Sequence, residues 1–359
     1  MNYFRLSAVI LARILCAAAV SVTANASENP ILGAGSTAAA PIYRAWAAQY
    51  QKTGGAPLDY EAVGSGAGLQ KMREGSVYFG ATDVPPSAAT LAQEGWILIP
   101  VAVTGIVPIV NLPGLQGPPL RLNGPLLAGI FSGRLIRWND PAIVELNPQR
   151  KLPNMEISVV VRSDGSGSTY HFTDYLGKSS SDWPQAWTAQ TRVNWPARFD
   201  AVAGSEAVYS HVRSTAGAIG YVDFAYAKDS PLANIALKNA DGNWVTPGFD
   251  AMRAALRNSD WVRNGRFSAP LTLLPGKGAW PITMGTFALL PQTARDAAAT
   301  LRTLKFFAWS FMHGDELVRL NQFVRIPDRI QAAAFKAMSS VRDSHGNYLG
   351  AQILAPTEK

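Results

Sequence analysis

The stretch "VVVRSDGSGSTYHFTDYL" (residues 159–176) joins a run of valines to several small residues and then to a helix-like segment. The valines predict a buried strand that ends at Arg162. Small residues let a backbone approach a ligand closely, and the backbone N–H groups at a helix start lack intrahelical partners. The stretch therefore predicts a strand–loop–helix unit whose loop is either a plain helix cap or part of a binding site.

Two other loops repeat this pattern, "GAGST" (33–37) and "GSGAG" (64–68), beside "DGSGST" (164–169) in the opening stretch. Each follows a predicted strand and precedes a predicted helix. A helix N-terminus carries roughly half a positive charge and attracts anions. Arg162 adds a planar guanidinium suited to oxyanions, unless it only forms a surface ion pair with Asp164. Together the loops predict a set of donors around one compact oxyanion.

Short apolar runs alternate with helical patterns along the chain, which predicts an α/β fold with largely parallel sheets. The run "WILIPVAVTGIVPIVNLPG" (96–114) contains several prolines and many β-branched residues. We interpret it as two buried strands joined near Thr104 and Gly105, not as a membrane span. Near the end, a long helix is predicted from Pro291 to Gly314, and another helix is predicted to follow Pro327.

The first 26 residues have the pattern of a secretory signal peptide. Arg5 is followed by an apolar stretch, and "ANA" ends at Ala26 as a cleavage site would. An uncleaved membrane anchor is the alternative. Cys16, the only cysteine, lies within this segment, so the mature chain has no disulfide and no thiol ligand. We expect a soluble protein exported to the periplasm.

Composition and motifs argue against several classes of function. The 359-residue chain has a net charge of +7 and is 48% hydrophobic, without a Lys/Arg run that would follow a nucleic-acid backbone. The segment "GKS" (177–179) lacks the first glycine of a Walker loop because Phe172 stands there, and the three loops contain no G-x-S-x-G hydrolase elbow. The four histidines show no metal-ligand spacing and are predicted to be surface or packing residues.

Asp83 lies in "FGATDVPP", directly after a short apolar strand. It is either an ordinary turn aspartate before proline or, among the predicted donors, a carboxylate that accepts a proton from the ligand.

Five segments in order, "GAGSTAAAPIYRAWAAQY", "VGSGAGLQKMREGSVYFGATDVP", "VVVRSDGSGSTYHFTDYL", "AGAIGYVDFAYAK" and "AWPITMGTFALL", resemble the periplasmic phosphate-binding component of the high-affinity phosphate ABC transporter. The resemblance spans roughly residues 30–350. It implies a two-lobed periplasmic-binding-protein fold that buries phosphate in a cleft without a metal or cofactor. Lobe one would hold residues 28–102 and 284–359, and lobe two residues 107–282. Two chain crossings, near 103–106 and 281–285, would form the hinge.

The resemblance also implies the site residues. Phosphate would be bound by Thr37, Ala38, Ser65, Asp83, Arg162, Ser166, Gly167 and Ser168, with Asp164 orienting Arg162. The sequence departs from the family in three places: Ala38 replaces an aromatic residue, Gly66 replaces a second serine, and Ser168 replaces a threonine. The Ala38 backbone donor and the Ser168 hydroxyl survive these changes, whereas Ala38 removes an apolar lid over the site and Gly66 lacks the serine hydroxyl. The ligand class stays intact and the affinity is open.

The expected partners are inorganic phosphate and the permease and ATPase subunits of an ABC transporter, and the expected state is a monomer with no nucleic-acid ligand. Three alternatives stay open. The chain could be a secreted phosphate scavenger or surface protein of the same fold, or a secreted phosphatase that uses a loop serine. It could also bind sulfate or another oxyanion, against which Asp83 argues.

Overall fold

The structure is a computed structural model that describes residues 29–114 and 117–354. Within these ranges it is an α/β fold, as the alternating sequence pattern predicts. The predicted signal peptide, residues 1–26, lies outside the described residues.

The strands form one large sheet and one small sheet. They are β1 (Ile31–Gly35), β2 (Leu58–Glu61), β3 (Phe79–Thr82), β4 (Trp96–Val110), β5 (Leu120–Leu122), β6 (Ser158–Arg162), β7 (Asp200–Val202), β8 (Ala218–Asp223), β9 (Ile235–Lys238), β10 (Trp244–Val245) and β11 (Thr283–Pro291).

Helices cover both sheets. They are α1 (Ala40–Lys52), α2 (Ser65–Glu74), α3 (Ala88–Glu94), α4 (Gly124–Phe131), α5 (Pro141–Leu146), α6 (Gly167–Ser179), α7 (Ser205–Ser214), α8 (Phe224–Ala227), α9 (Phe249–Arg257), α10 (Asp260–Asn264), α11 (Ala297–His313), α12 (Asp315–Leu320) and α13 (Asp328–Ser339).

The large sheet has the order β2-β1-β3-β11-β4-β8-β6-β7. Its flanks are parallel, but β11 is antiparallel to β3 and β4, and β8 is antiparallel to β4. The sheet is therefore mixed, not largely parallel as expected, because β4 and β11 run through its centre in opposite directions. We call β2, β1, β3 and β11 with residues 96–105 of β4 the first half, and residues 106–110 of β4 with β8, β6 and β7 the second half.

The prediction of two strands within residues 96–114 is wrong, because β4 is one continuous strand of 15 residues. Its partner changes where the break was expected: it pairs with β11 up to Gly105 and with β8 from Ile106 onward. Pro100 has no N–H to donate, and the β4–β11 register shifts beside it, where Ala102 pairs with Thr286 and Pro100 with Phe287. A bulge thus accommodates the proline without ending the strand.

The start predicted for the long C-terminal helix is also wrong. Pro291 is the last residue of β11, and α11 begins at Ala297 after Asp296, whose carboxylate accepts a hydrogen bond from the Ala299 N–H at 2.9 Å. The capping carboxylate determines the start, since it satisfies a backbone donor that proline cannot. The predicted stop at Gly314 is confirmed, and α13 follows Pro327 as predicted.

Each half of the large sheet has its own aromatic cluster. In the first half, Tyr43 and Phe79 pack with Phe307 of α11. In the second half, Phe172 of α6 stacks on Tyr221 of β8 with ring centroids 4.4 Å apart. The hydroxyls of Tyr221 and Thr169 share a hydrogen bond of 2.7 Å, which fixes the first turn of α6 to the sheet.

Asp223 is a buried carboxyl at the junction of the two halves, where it pairs with Ile106. It accepts hydrogen bonds from the Thr104 hydroxyl at 2.8 Å and from the Ala225 N–H at 2.9 Å. Burial raises its pKa to about 8, although both hydrogen bonds oppose the shift. The folded protein therefore holds this carboxyl mostly protonated near neutral pH.

We predict that Asp223 makes the native protein less stable as pH rises. An unfolded aspartate ionises near pH 4, so the folded state loses relative stability between about pH 4 and 8, by at most about 1.4 kcal/mol per pH unit. Asp223→Asn removes this titration and keeps a hydrogen-bonding side chain. Urea unfolding at pH 5 to 8 should show the variant gaining stability relative to native as pH rises. Parallel curves would contradict the assignment.

Candidate functional site

The three Gly/Ser loops meet between the two halves of the large sheet. The first connects β1 to α1, the second connects β2 to α2, and the third connects β6 to α6. The Gly66 N–H of the second loop donates to the Gly165 carbonyl of the third at 3.0 Å. A Cβ on Gly66 would lie 3.3 Å from the Gly165 Cα. The glycines therefore allow backbone from one half to contact backbone from the other.

Asp83 follows β3 and its side chain lies buried among hydroxyl groups of the first half. The Ser36 hydroxyl lies 2.7 Å from each carboxylate oxygen, and the Ser65 hydroxyl donates to Oδ2 at 3.3 Å. Burial raises the pKa of Asp83, and hydrogen bonds from Ser36 and Ser65 oppose that shift by stabilising the charged form. The sequence-predicted residues Ser65 and Asp83 thus lie together.

The start of α6 faces the Asp83 carboxylate from the second half. A Cβ on Gly167, the first residue of α6, would lie 2.6 Å from both Cβ and Oδ2 of Asp83. The Ser166 hydroxyl caps the helix by accepting from the Thr169 N–H at 3.2 Å, and Ser168 is buried beside it. This places the predicted residue Gly167 against Asp83, with the predicted residues Ser166 and Ser168 directly before and after it in the chain.

Arg162 ends β6 and forms a buried, two-pronged ion pair with Asp164. Its Nε donates to Asp164 Oδ1 at 2.6 Å, and its Nη2 donates to Oδ2. The Gly204 N–H also donates to Oδ1, at 3.1 Å. Burial favours a higher pKa for Asp164, but the hydrogen bond and charge of Arg162 outweigh it and lower that pKa. The expected pair forms, but Arg162 is only 3% exposed, so it is no surface pair.

Thr37 joins the first half to the second through two contacts. Its hydroxyl shares a hydrogen bond of 3.0 Å with the Ser205 hydroxyl, and its carbonyl accepts from the Tyr226 hydroxyl at 2.8 Å. Ser205 also accepts from Arg162 Nη1 at 3.4 Å. Ala38, the next residue, is buried at the turn into α1. Thr37, Arg162 and Ser205 therefore form one chain of contacts between the halves.

Sequence reasoning missed several residues of this cluster. Ser36 lies within the first loop beside Thr37, but the loop pattern did not identify it as a site residue. Ser205 follows Gly204 in "AGSEAV", between β7 and α7, which repeats the strand–Gly–Ser–helix pattern of the predicted loops. That repetition could have identified a fourth loop. His171 was predicted to be a surface or packing residue, and it is buried with Nε2 2.8 Å from the Asp83 carbonyl oxygen.

The cluster consists mainly of hydrogen-bond donors, with the carboxylates of Asp83 and Asp164 as acceptors. The hydroxyls of four loops and the Arg162 guanidinium are hydrogen-bond donors. The Asp83 carboxylate, when it is ionised, is an acceptor only.

In residues 29–114 and 117–354, no group of three or more His, Cys, Asp or Glu side chains is placed to hold a metal ion. None of the helices within these ranges is both long and apolar enough to cross a bilayer.

Comparison with known proteins identifies the family of this chain. A family model described as a PBP superfamily domain matches residues 20–264. The phosphate-binding protein PstS of Xylella fastidiosa is 38% identical over 320 residues, which cover 87% of this chain and 88% of that protein. PstS of Haemophilus influenzae is 40% identical over 302 residues, covering 84% and 90%.

A solved structure shows the same fold. The phosphate-binding protein of Stenotrophomonas maltophilia matches with a TM-score of 0.65 at 20% sequence identity, over 85% of this chain and 93% of that one. The expected two-lobed architecture of the periplasmic-binding-protein type is confirmed by this likeness.

Gly167→Ala should destabilise the junction between α6 and Asp83. The added Cβ would overlap the Asp83 side chain at 2.6 Å, so the helix start must shift. We expect a loss of about 1–3 kcal/mol in the free energy of unfolding, measured in urea, which outweighs the better helix propensity of alanine. Gly278→Ala is the control, because nothing lies within 4 Å of its added Cβ. Equal stability of the two variants would contradict the contact.

Proposed function

This chain belongs to the PBP superfamily and, within it, to the PstS phosphate-binding proteins, and we propose that it captures inorganic phosphate and delivers it to an ABC transporter. The observation that carries the proposal is the buried Asp83 carboxylate, which lies beside the Ser36 and Ser65 hydroxyls and the start of α6. The Arg162 guanidinium is buried at the end of β6 in the other half. Phosphate near neutral pH offers both oxygens for these donors and a proton for this carboxylate.

The roles follow from the geometry. Asp83 accepts the phosphate proton, and the Ser36 hydroxyl, which lies 2.7 Å from each of its oxygens, favours its charged form. The phosphate oxygens accept hydrogen bonds from the remaining donors. These are the hydroxyls of Thr37, Ser65, Ser166 and Ser168, the backbone N–H groups of Ala38 and Gly167, and the guanidinium of Arg162.

Arg162 is held by Asp164 before phosphate arrives. Two of its nitrogens bond Asp164, while Nη1 points to Ser205 and thus toward Thr37. A guanidinium fixed in this way loses little side-chain entropy when phosphate binds. The departure at Ala38 removes an aromatic side chain, but it leaves the backbone donor in place.

The two halves of the sheet belong to two lobes that close on phosphate. We assign residues 28–102 and 284–359 to lobe one and 107–282 to lobe two, with crossings at 103–106 and 281–285. In support, the Ile106 N–H donates to the Ile282 carbonyl at 2.8 Å, so the two proposed crossings lie side by side. Loop contacts between Gly66 and Gly165 and between Thr37 and Ser205 join the lobes in the closed form.

The protein acts in the cell envelope. The signal-peptide pattern of residues 1–26 directs export to the periplasm, where the chain works as a monomer and passes phosphate to a permease driven by an ATPase. The named relatives are binding proteins, and we propose no catalytic step. The phosphatase alternative gains no support, since no hydrogen bond within the described ranges joins a serine of these loops to an imidazole.

Arg162→Ala should weaken phosphate binding by roughly ten- to a hundredfold, the scale of a charge-assisted hydrogen bond. Calorimetric titration with phosphate measures the change, and circular dichroism checks the fold. Arg134→Ala is the control, because Arg134 forms an exposed ion pair with Asp182 on the surface and should bind phosphate as native does. Unchanged affinity in folded Arg162→Ala would remove Arg162 from the site.

Asp83→Asn should erode the preference for phosphate over sulfate. Sulfate brings no proton, so the native carboxylate would stay buried beside a like charge with no hydrogen bond to the ligand, which can cost about 10⁴–10⁵-fold in affinity. An amide offers N–H donors to sulfate and can still accept the phosphate proton. Competition titrations measure the ratio of phosphate affinity to sulfate affinity. Asp59→Asn is the control, because Asp59 is an exposed residue of β2. A ratio unchanged in Asp83→Asn would contradict the role of Asp83.

Phosphate should close the two lobes around their crossings. We expect a smaller radius of gyration in solution scattering when phosphate is added, together with a higher melting temperature. If the melting temperature rises while the scattering curve stays the same, the pocket is preformed and the closure proposal is wrong.

A further inference from the structure

We propose that His171 is a positioning residue that holds Asp83 in place from the opposite lobe and makes phosphate binding weaken in acid. The inference rests on the proposed function, since it concerns how that same site is set. Its basis is a buried hydrogen bond between the halves that the phosphate contacts do not use.

His171 lies on α6, the helix whose start faces the Asp83 carboxylate. Its Nε2 is 2.8 Å from the Asp83 carbonyl oxygen, and the side chain is buried. Ser36 and Ser65 hold the carboxylate of the same residue from the first half. Asp83 is therefore held at both ends, by its side chain in its own half and by its carbonyl from the other.

The hydrogen bond selects one protonation state of the imidazole. A carbonyl can only accept, so Nε2 carries the hydrogen and donates it. Nδ1 is buried and has no hydrogen-bond partner. A neutral ring leaves a lone pair there, at small cost. A protonated ring would bury a second N–H without an acceptor, as well as a charge.

The surroundings favour the neutral ring. Burial lowers the pKa of His171, and the charge of Lys178 adds to this, while the Asp83 hydrogen bond and the carboxylates of Asp83 and Asp174 oppose it. Asp174 is itself paired with Lys178 at 2.7 Å, so its charge is partly compensated. The Tyr170 ring packs edge-on at 5.2 Å.

The remaining neighbours are uncharged and, apart from Ser268, apolar. A cavity of about 170 Å³ beside His171 is lined by residues from both halves and from the segment 261–271. Its uncharged lining includes Pro85, Trp261, Pro270, Leu271 and Phe287. No nearby group within the described ranges is placed to accept a hydrogen from Nδ1.

Opening of the lobes breaks the bond and returns the imidazole to water, where its pKa is near 6.5. Because the closed form has the lower pKa, protons bind preferentially to the open form. Closure is then unimpeded above about pH 6.5 and is progressively opposed as pH falls below it. Phosphate binding, which requires closure, weakens with it.

Two variants separate positioning from titration. His171→Gln keeps an N–H donor and does not titrate in this range, while His171→Leu fills the space without a donor. His211→Gln is the matched control, because His211 lies on the exposed side of α7 and pairs with Asp200. Phosphate affinity is measured by calorimetry at pH 5, 6, 7 and 8. Since phosphate itself titrates, each variant is compared with native protein at the same pH.

At pH 8 we expect His171→Gln to bind within about threefold of native. His171→Leu should bind about five- to tenfold more weakly, with a reduced preference for phosphate over sulfate, because the Asp83 carbonyl loses its donor. From pH 8 to 5, native should lose affinity relative to His171→Gln, by at most about tenfold per pH unit. His211→Gln should follow native throughout.

Either of two results overturns the inference. Native and His171→Gln could lose affinity in parallel down to pH 5, or folded His171→Leu could match native in affinity and selectivity at pH 8. If His171→Leu fails to fold, the comparison of native with His171→Gln still decides. Native protein that binds no phosphate at any pH would instead refute the proposed function.

Discussion

The buried carboxylate of Asp83 lies where the two halves of the large sheet meet. Hydroxyls of Ser36 and Ser65 satisfy its oxygens from the first half, and Gly167 presses against it from the second. A buried carboxylate without such donors would be costly. Gly167 has no Cβ, which leaves room for this carboxylate at the start of α6.

Arg162 is also a buried charged group that needs hydrogen-bond partners. A buried guanidinium needs a partner, and Asp164 supplies two acceptors only two residues away. The Gly204 N–H then ties Asp164 to the loop before α7, which brings Ser205 to Thr37. Hydrogen bonds from Arg162 to Asp164, from Gly204 to Asp164 and between Ser205 and Thr37 thus connect the end of β6 to the other half of the sheet.

Local patterns in the sequence predicted the three loops and the α/β class, and they located Asp83 and Arg162 at the ends of two strands. Each depends on chemistry within a few residues, such as a strand that runs into glycine and a helix start. The continuous β4 was not predicted, because two prolines suggested breaks and only the bulge beside Pro100 shows how the ladder absorbs one. Likewise, the contacts of Ser205 and His171 join residues far apart in sequence. A local sequence pattern does not indicate which distant group each of them contacts.

A crystal structure of the mature chain grown with phosphate tests the central claim most directly. We predict tetrahedral density between the loops, with one phosphate oxygen about 2.5–2.7 Å from an Asp83 carboxylate oxygen, the distance of a hydrogen bond to a charged group. Arg162 should contact the same phosphate while it remains paired with Asp164. Phosphate bound elsewhere, or bound with Asp83 turned away from it, would contradict the claim that this carboxylate recognises the ligand.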